Sequence, residues 1–500
     1  MTKYVDLSGK PFHFIGIGGI GMSALAYILA KRKLPVSGSD IRSSHITEKL
    51  ASLGAQIFSQ QEATNLEFFL AQSHFAQPAL PAAIVGSNST EVLKKPGQFL
   101  GKSLANKQKA LPQVICSTAI NPANLEYRAA LDLGCPIFHR SDLLSALIQE
   151  YNSIAVAGTH GKTTTSSMIG YLLLKAGLDP TIIVGGEVKA WEGNARLGKS
   201  EYLVAEADES DGSLVKLAAQ IGVITNIELD HPDHYKNLEQ VVATFKVFAQ
   251  QCKTVVACID CATVRDRLNP TISYSLNPDL EADYTVTDVE YKANGTTATV
   301  WERNKQLGQL NLQQLGRHNL SNAIAAVAVG RLLNLDFCVI ANSIASFEGA
   351  RRRYELRGEV NGIQFIDDYA HHPSEIQATL AAARLQAKSP NRIVAIFQPH
   401  RYSRTITFLS QFAQSFNHAD LVIISDIYSA GEPDLGQING EKLAVRIANY
   451  NPQVTYRPTL ASISEFLVQT LRPGDTALFL GAGNLNQIIP EVIARIKGKG

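Results

Sequence analysis

The feature that most constrains this chain is the run AVAGTHGKTTTSSMIGYLLLKAG at positions 155–177. Small and β-branched residues lead into Gly158. A glycine turn follows, and Lys162 and Thr163 then open a helical period carrying Met168, Ile169, Leu172 and Leu173, with Gly177 as its C-terminal stop. A strand that turns directly into a helix belongs on a parallel sheet, so the chain is read as α/β. Glycine at 158 and 161 lets backbone N–H groups converge on phosphate oxygens, and the helix N-terminus adds a favourable dipole. Lys162 can reach outer phosphates and the Thr163 hydroxyl can hold Mg²⁺. The general phosphate loop also has a glycine where this chain has Val156, so the pattern is met in part. The expectation is a site for ATP and Mg²⁺.

The strand-then-helix pattern recurs along 500 residues, too many for a single core. Three blocks are expected: 1–149, beginning with the strand FHFIGIGG; 150–347, beginning with SIAVAG; and 348–500, with strands RIVAIF and ALFLGAG. Residues 88–113 are rich in Lys, Gln, Gly and Pro and are read as a surface loop inserted into the first block. Forty-six basic against 45 acidic residues give net charge +1, which leaves no electrostatic footprint for nucleic acid or an anionic membrane. No apolar run is long enough to span a bilayer, and the N-terminus lacks a signal-peptide pattern. Six scattered cysteines fit a reducing compartment, so a cytoplasmic location is expected, and Cys258 and Cys261 are read as ordinary thiols.

Two acidic clusters follow apolar strands. LVAEADESD supplies Glu206, Asp208, Glu209 and Asp211, and NIELDHPDHY supplies Asp230, His231, Asp233 and His234. Strand ends in a parallel sheet point at the ligand crevice, and oxygen donors with an imidazole suit Mg²⁺ beside a triphosphate. In the first block, Gly16, Gly18 and Gly21 follow a strand, and Asp40 ends the next strand. This spacing specifies a diphosphate on a helix N-terminus and a sugar hydroxyl at the acid, without distinguishing a nicotinamide dinucleotide from a UDP-sugar.

Taken in order, GIGGIGMSALA (16–26), the Gly-Ser-Asp ending in Asp40, STAI (117–120), HRSDLL (139–144), AGTHGKTTT, EADESD, TNIELDH, GRHNLSNAIAA (316–326), DDYAHHP (367–373), QPHRYSR (398–404) and DIYSAGE (426–432) resemble the Mur ligases over most of the chain. Within that family they resemble the branch that joins L-alanine to UDP-N-acetylmuramate. The resemblance implies three α/β domains: a Rossmann-like UDP-sugar domain, a central phosphate-loop ATPase-type domain and a Rossmann-like C-terminal domain that takes the amino acid. It implies ATP contacts from Gly158, Thr159, His160, Gly161, Lys162, Thr163, Thr164, His318, Asn319, Asn322, Arg352, Asp367 and Tyr369. It implies UDP-sugar contacts from Gly16, Gly18, Gly19, Gly21, Asp40, Ser117, Thr118, Ala119 and Arg140, and metal contacts from Thr163, Glu206 and His231. Lys162, Glu206, His231, His371, Arg401 and Arg404 are the implied catalytic set, acting on small-molecule substrates in a monomer or weak homodimer.

Chemistry sets the expected course. A carboxylate does not accept an amine until its oxygen is made a leaving group, and phosphorylation by ATP does this through an acyl phosphate. Arg401 and Arg404, three apart, could share one helical face and hold the amino acid's carboxylate; the same pair also reads as a basic surface turn. His371 or His372 could orient the amine or its proton. Closure of the third domain on the nucleotide is expected. Other readings are a ligase that attaches a whole peptide to the same UDP-sugar, a nicotinamide oxidoreductase, and an ATP-driven switch protein.

Overall fold

The structure is a computed structural model that describes residues 4–69, 111–387 and 390–498. The chain divides into two compact units at Glu150–Tyr151, with Ala195–Leu197 grouped with the first.

The first unit carries a five-stranded parallel sheet: β1 (Phe12–Ile15), β2 (Val36–Ser39), β3 (Gln56–Phe58), β4 (Gln113–Cys116) and β5 (Ile137–His139), in the order β3-β2-β1-β4-β5. Phe12, Phe14 and Ile15 are buried, and the helix Ile20–Lys31 buries Ala24, Leu25, Ile28 and Leu29. One patch of this core is polar. His13 bonds Ser37 and Glu126, each at 2.7 Å, and Glu126 also accepts from Ser39 and from Asn65. The reading of 88–113 as a loop needs correction at its end. Gln113 starts β4 and is 1% exposed, because its side-chain amide is satisfied by the backbone of Asp6, accepting at 2.7 Å and donating at 2.8 Å. Residues 70–110, which hold most of that segment, lie outside the described part.

The second unit holds two sheets. Ten strands form the larger: β6 (Asn152–Ala157), β7 (Thr181–Val188), β8 (Gly193–Arg196), β9 (Tyr202–Glu206), β10 (Ile221–Ile224), β11 (Thr254–Cys258), β12 (Ile272–Tyr274), β13 (Tyr284–Lys292), β14 (Gly295–Glu302) and β15 (Lys305–Leu312). The order is β15-β14-β13-β12-β11-β10-β6-β9-β7-β8. From β13 to β7 neighbours run parallel, while β13, β14 and β15 pair antiparallel, an extension that a strict strand–helix alternation does not anticipate. Its β14–β15 turn is Arg303-Asn304, both with positive φ, the twist that matches paired strands. The helix Lys162–Lys175 is buried almost all round, packed against the helix Arg317–Leu332 and the sheet.

Six strands form the smaller sheet: β16 (Glu355–Val360), β17 (Ile363–Asp368), β18 (Ile393–Phe397), β19 (Leu421–Ile424), β20 (Val454–Tyr456) and β21 (Thr476–Leu480), ordered β16-β17-β21-β18-β19-β20. Only β16 is antiparallel to its neighbour, through an Asn361-Gly362 turn. Every residue of β18 and β21 is buried, as expected for strands covered on both faces. Thus three α/β sheets appear, with the second and third in one compact unit. Among the described residues no helix is long and apolar enough to cross a membrane.

Candidate active site

The glycine turn leaves β6 at the centre of the larger sheet. Gly158 has φ +141° and Gly161 has φ +81°, both in the region that side chains disfavour. A Cβ at Gly158 would collide with Thr225, and one at Gly161 would lie 2.6 Å from Asn322 Oδ1, so both positions are closed to larger residues. The turn is pinned from β10 onward. Thr159 N–H donates to Asn226 O, His160 N–H donates to Asn226 Oδ1 at 2.8 Å, and Thr225 Oγ1 donates to His160 O at 2.6 Å. Lys162 Nζ donates to Gly158 O at 2.7 Å, Thr159 O at 3.1 Å and Glu209 Oε1 at 2.9 Å. Burial opposes charge on Lys162, but Glu209 and Asp208 outweigh it and hold the ammonium charged. Burial pushes Glu209 up to about 7, against the pull of Lys162.

Around this turn stand the acidic clusters. Glu206 ends β9 and accepts the Gly185 N–H at 2.7 Å. His231, with φ +53°, brings Nε2 to 3.8 Å from Glu209 and 3.7 Å from Asp230, and burial lowers its pKa. Asp230 is buried and accepts Arg404 Nε at 2.8 Å. Burial alone would raise Asp230; the Arg404 guanidinium overrides it and holds the carboxyl well below its usual range.

A cavity of about 630 Å³ opens beside the turn. His160, Gly161 and Thr164 line one wall, His318, Asn319 and Asn322 another, and Arg353, Asp368 and Glu375 a third. Asn319 is fixed by donating to Leu315 O at 2.9 Å, and Asn322 donates to Asn319 Oδ1. Burial lowers His318 to about 4, so it is neutral. Arg353 Nη2 donates to Thr163 Oγ1 at 3.2 Å, carrying a cation to the first turn of the phosphate-loop helix.

The Mur ligase family catalytic domain matches residues 11–152, the Mur ligase middle domain 156–330, and the Mur ligase glutamate ligase domain 352–483. The chain is 70% identical over 493 residues to a UDP-N-acetylmuramate–L-alanine ligase of Nostoc punctiforme, covering 99% of this chain and 98% of that protein. The chain belongs to the Mur ligase family. A protein of the same description from Trichormus variabilis is 66% identical, with 99% and 98% covered. Among solved structures, the UDP-N-acetylmuramate–alanine ligase of Thermotoga maritima matches with TM-score 0.77 at 24% identity, covering 98% of this chain and 100% of that one, a likeness of fold.

In this Mur ligase the glycine loop of the first unit is assembled as the spacing requires. Gly16 has φ +81°, and Gly19 caps the helix Ile20–Lys31. Ser117, Thr118 and Ala119 follow β4, and Arg140 opens the helix Arg140–Gln149 after β5. A Cβ at Gly21 would lie 3.9 Å from Arg140 Nη1, and one at Gly16 would lie 3.7 Å from Ile120, so these segments meet at the carboxyl end of the sheet. Asp40 is engaged within the protein: Oδ2 accepts the Gly18 N–H at 2.8 Å and Oδ1 accepts from Arg42 N–H at 3.0 Å.

Four expectations change. Arg352 turns away from the phosphate loop: its Nη2 donates to Gly481 O at 2.7 Å, while Arg353 takes the place beside Thr163. Asp367 points off the cavity, accepting from Arg357 and Asn486, and Asp368 lines it, because neighbouring strand residues face opposite ways. Burial raises Asp368 to about 6. Tyr369 is not among the residues lining the cavity, and its ring takes the Arg352 and Arg353 guanidiniums at 4.9 and 5.1 Å from its centroid. Finally, Arg401 and Arg404 do not share a helical face: Arg401 precedes the helix Tyr402–Thr407 with φ +70° and pairs with Asp233 and Glu432, whereas Arg404 is 1% exposed and committed to Asp230 and His400. His371 bonds Tyr369 O and lies 3.2 Å from Glu375; burial lowers it to about 3, leaving a neutral ring.

Thr225, Asn226, Arg353, Asp368 and Glu375 were missed from sequence. Glu375 carried a local signal, since His372-Pro-Ser-Glu375 reads as a capping box, and the structure forms one. Arg353→Ala is expected to raise the KM for ATP about tenfold or more, while Arg352→Ala leaves it near the parent value; initial rates at varied ATP check this. Equal effects would contradict the assignment.

Proposed function

We infer that the chain uses ATP to join L-alanine to UDP-N-acetylmuramate in peptidoglycan synthesis. The observation that carries the reading is full-length identity of 60–70% to proteins of that activity, on a chain whose glycine turn opens a helix N-terminus onto a cavity suited to a nucleotide. In this reading the N–H groups of Gly161, Lys162 and Thr163 hold the phosphates, those of Thr159 and His160 being taken by Asn226, and Lys162 leaves its carbonyl partners to reach the outer ones. Adenosine occupies the cavity against His318, Asn319 and Asn322. Thr163 and Glu206 offer the oxygen donors that Mg²⁺ prefers, His231 is the imidazole the resemblance implies, and the bound ion would offset phosphate charge. An oxygen of the muramyl lactyl carboxylate attacks the γ-phosphorus as the bond to ADP breaks. The alanine nitrogen then attacks the acyl carbon, phosphate departs with the C–O electrons, and the amine proton passes to a base. His371, whose ring burial keeps neutral, is assigned here to orienting the amine. Of the two arginines, Arg401 is proposed to meet the alanine carboxylate, since its pairs with Asp233 and Glu432 are partly exposed and exchangeable whereas Arg404 is buried on Asp230.

The deciding assay mixes the protein with ATP, Mg²⁺, UDP-N-acetylmuramate and either L-alanine or a muramyl-type tripeptide, and follows phosphate. Release that depends on L-alanine is the expected result. Release with the tripeptide alone would assign the peptide-attaching ligase instead, a reading whose fold is also similar, at TM-score 0.68 and 21% identity for the murein peptide ligase of Psychrobacter arcticus.

A further inference from the structure

At the phosphate loop lies a cluster whose side chains take no part in the ligation steps above, although the sequence set His160 toward ATP and His372 toward the amine. His160 comes from the loop, Glu228 from the segment after β10, and His372 from the N-cap of the helix Pro373–Gln386. One ligand-type atom from each lies within 4.8 Å of the other two. The two imidazole rings are 4.6 Å apart between centroids. His160 Nε2 lies 3.4 Å from Glu228 Oε2, while His372 Nε2 is buried with no hydrogen-bond partner on a residue only 4% exposed. Buried polar atoms without partners are rare enough to need a physical reason.

We propose that His160 Nε2, His372 Nε2 and a Glu228 carboxylate oxygen form a site for one divalent transition-metal ion of the zinc class, separate from the Mg²⁺ position at Thr163 and Glu206.

Two imidazoles and one carboxylate, with a fourth position left for water, are a donor set that suits zinc and that Mg²⁺ disfavours. Zinc ligands at about 2.1 Å in a tetrahedron stand about 3.4 Å apart, so the three atoms must draw together by at most about 1.4 Å, within reach of side-chain rotation. The surrounding bonds are those that orient metal ligands. His160 Nδ1 faces Glu375 Oε1 at 3.1 Å, and Ser374 Oγ donates to Glu228 Oε2 at 2.7 Å. Glu228 is 41% exposed along its side chain, which gives the ion a way in. Without a metal, a proton does its work: burial would lower His160, but Glu228 and Glu375 reverse this and raise it to about 10. Coordination therefore releases that proton from Nε2. At His372 it places the proton on Nδ1 and gives up the long 3.3 Å cap from Ser374 N–H. The cluster bridges the phosphate loop and the first helix of the smaller sheet, so an ion there ties the two together.

Equilibrium dialysis of the whole chain against Zn²⁺ at micromolar concentration, with millimolar Mg²⁺ present, tests this, with Co²⁺ absorption as the geometric readout. The expected result is one Zn²⁺ per chain, a four-coordinate Co²⁺ spectrum, and affinity lowered at least about tenfold in both His372→Gln and Glu228→Gln. Two variants are used so that misfolding of one, seen by circular dichroism, leaves the other to decide. His231→Gln should bind Zn²⁺ as the parent does. No zinc retained, binding unchanged in both cluster variants, or binding lost in His231→Gln would overturn the proposal.

Discussion

Lys162→Ala should cut ligation by at least about 10²–10³-fold while the chain still folds, since the lost group is a cation aimed at phosphates that gain charge as the reaction proceeds. The structure adds a second, separable effect. Lys162 is the cationic partner of Glu209, which is 1% exposed, so the alanine variant strands a buried carboxyl whose Oε2 already has no partner. Lys162→Ala should therefore be less stable than the parent at pH 8, and adding Glu209→Gln should recover stability without recovering phosphate release. Rates and denaturant midpoints on the three proteins read both effects. Rescue of activity by the second substitution would mean that Lys162 serves the fold and not the phosphates.

Arg404→Ala carries the largest expected loss of stability, roughly 3–5 kcal/mol, because it breaks a buried pair and leaves the Asp230 carboxylate without its guanidinium, still accepting the His231 N–H. The pH dependence has a definite sign. In the parent, Asp230 is held below its unfolded pKa of about 3.9, so its contribution is complete above that value and is lost as pH falls through the folded one. In the variant, burial dominates and the carboxyl moves up, so the variant regains stability on acidification while the parent does not. The midpoint difference should be wide at pH 7.5 and narrower at pH 5. A difference independent of pH would show that Arg404 acts through packing alone.

The parts of this molecule that were legible in sequence are those whose chemistry is local. The loops at 16–21 and 158–163 each place their groups within one turn, so glycine spacing sufficed. Choices between neighbours were not legible. Arg352 and Arg353, or Asp367 and Asp368, differ in sequence by one step but in space by which face of a turn or strand they occupy, and register is set by distant partners such as β21. Pairs across long separations were invisible for the same reason: Arg404 meets Asp230 over 174 positions, and His160 meets Glu375 over 215. The β13–β15 extension was hidden because strand alternation there is interrupted by shifts in register.

The closed set of bonds within the phosphate loop has a consequence for how a nucleotide arrives. Lys162 already satisfies its ammonium on Gly158, Thr159 and Glu209, and the backbone around it is stitched to Thr225 and Asn226. A triphosphate entering this loop swaps one complete bonding arrangement for another and has no slack segment to freeze. Capture then loses little chain entropy, and the Thr159 and His160 amide protons, bonded to Asn226, should exchange slowly with solvent even before any ligand is added.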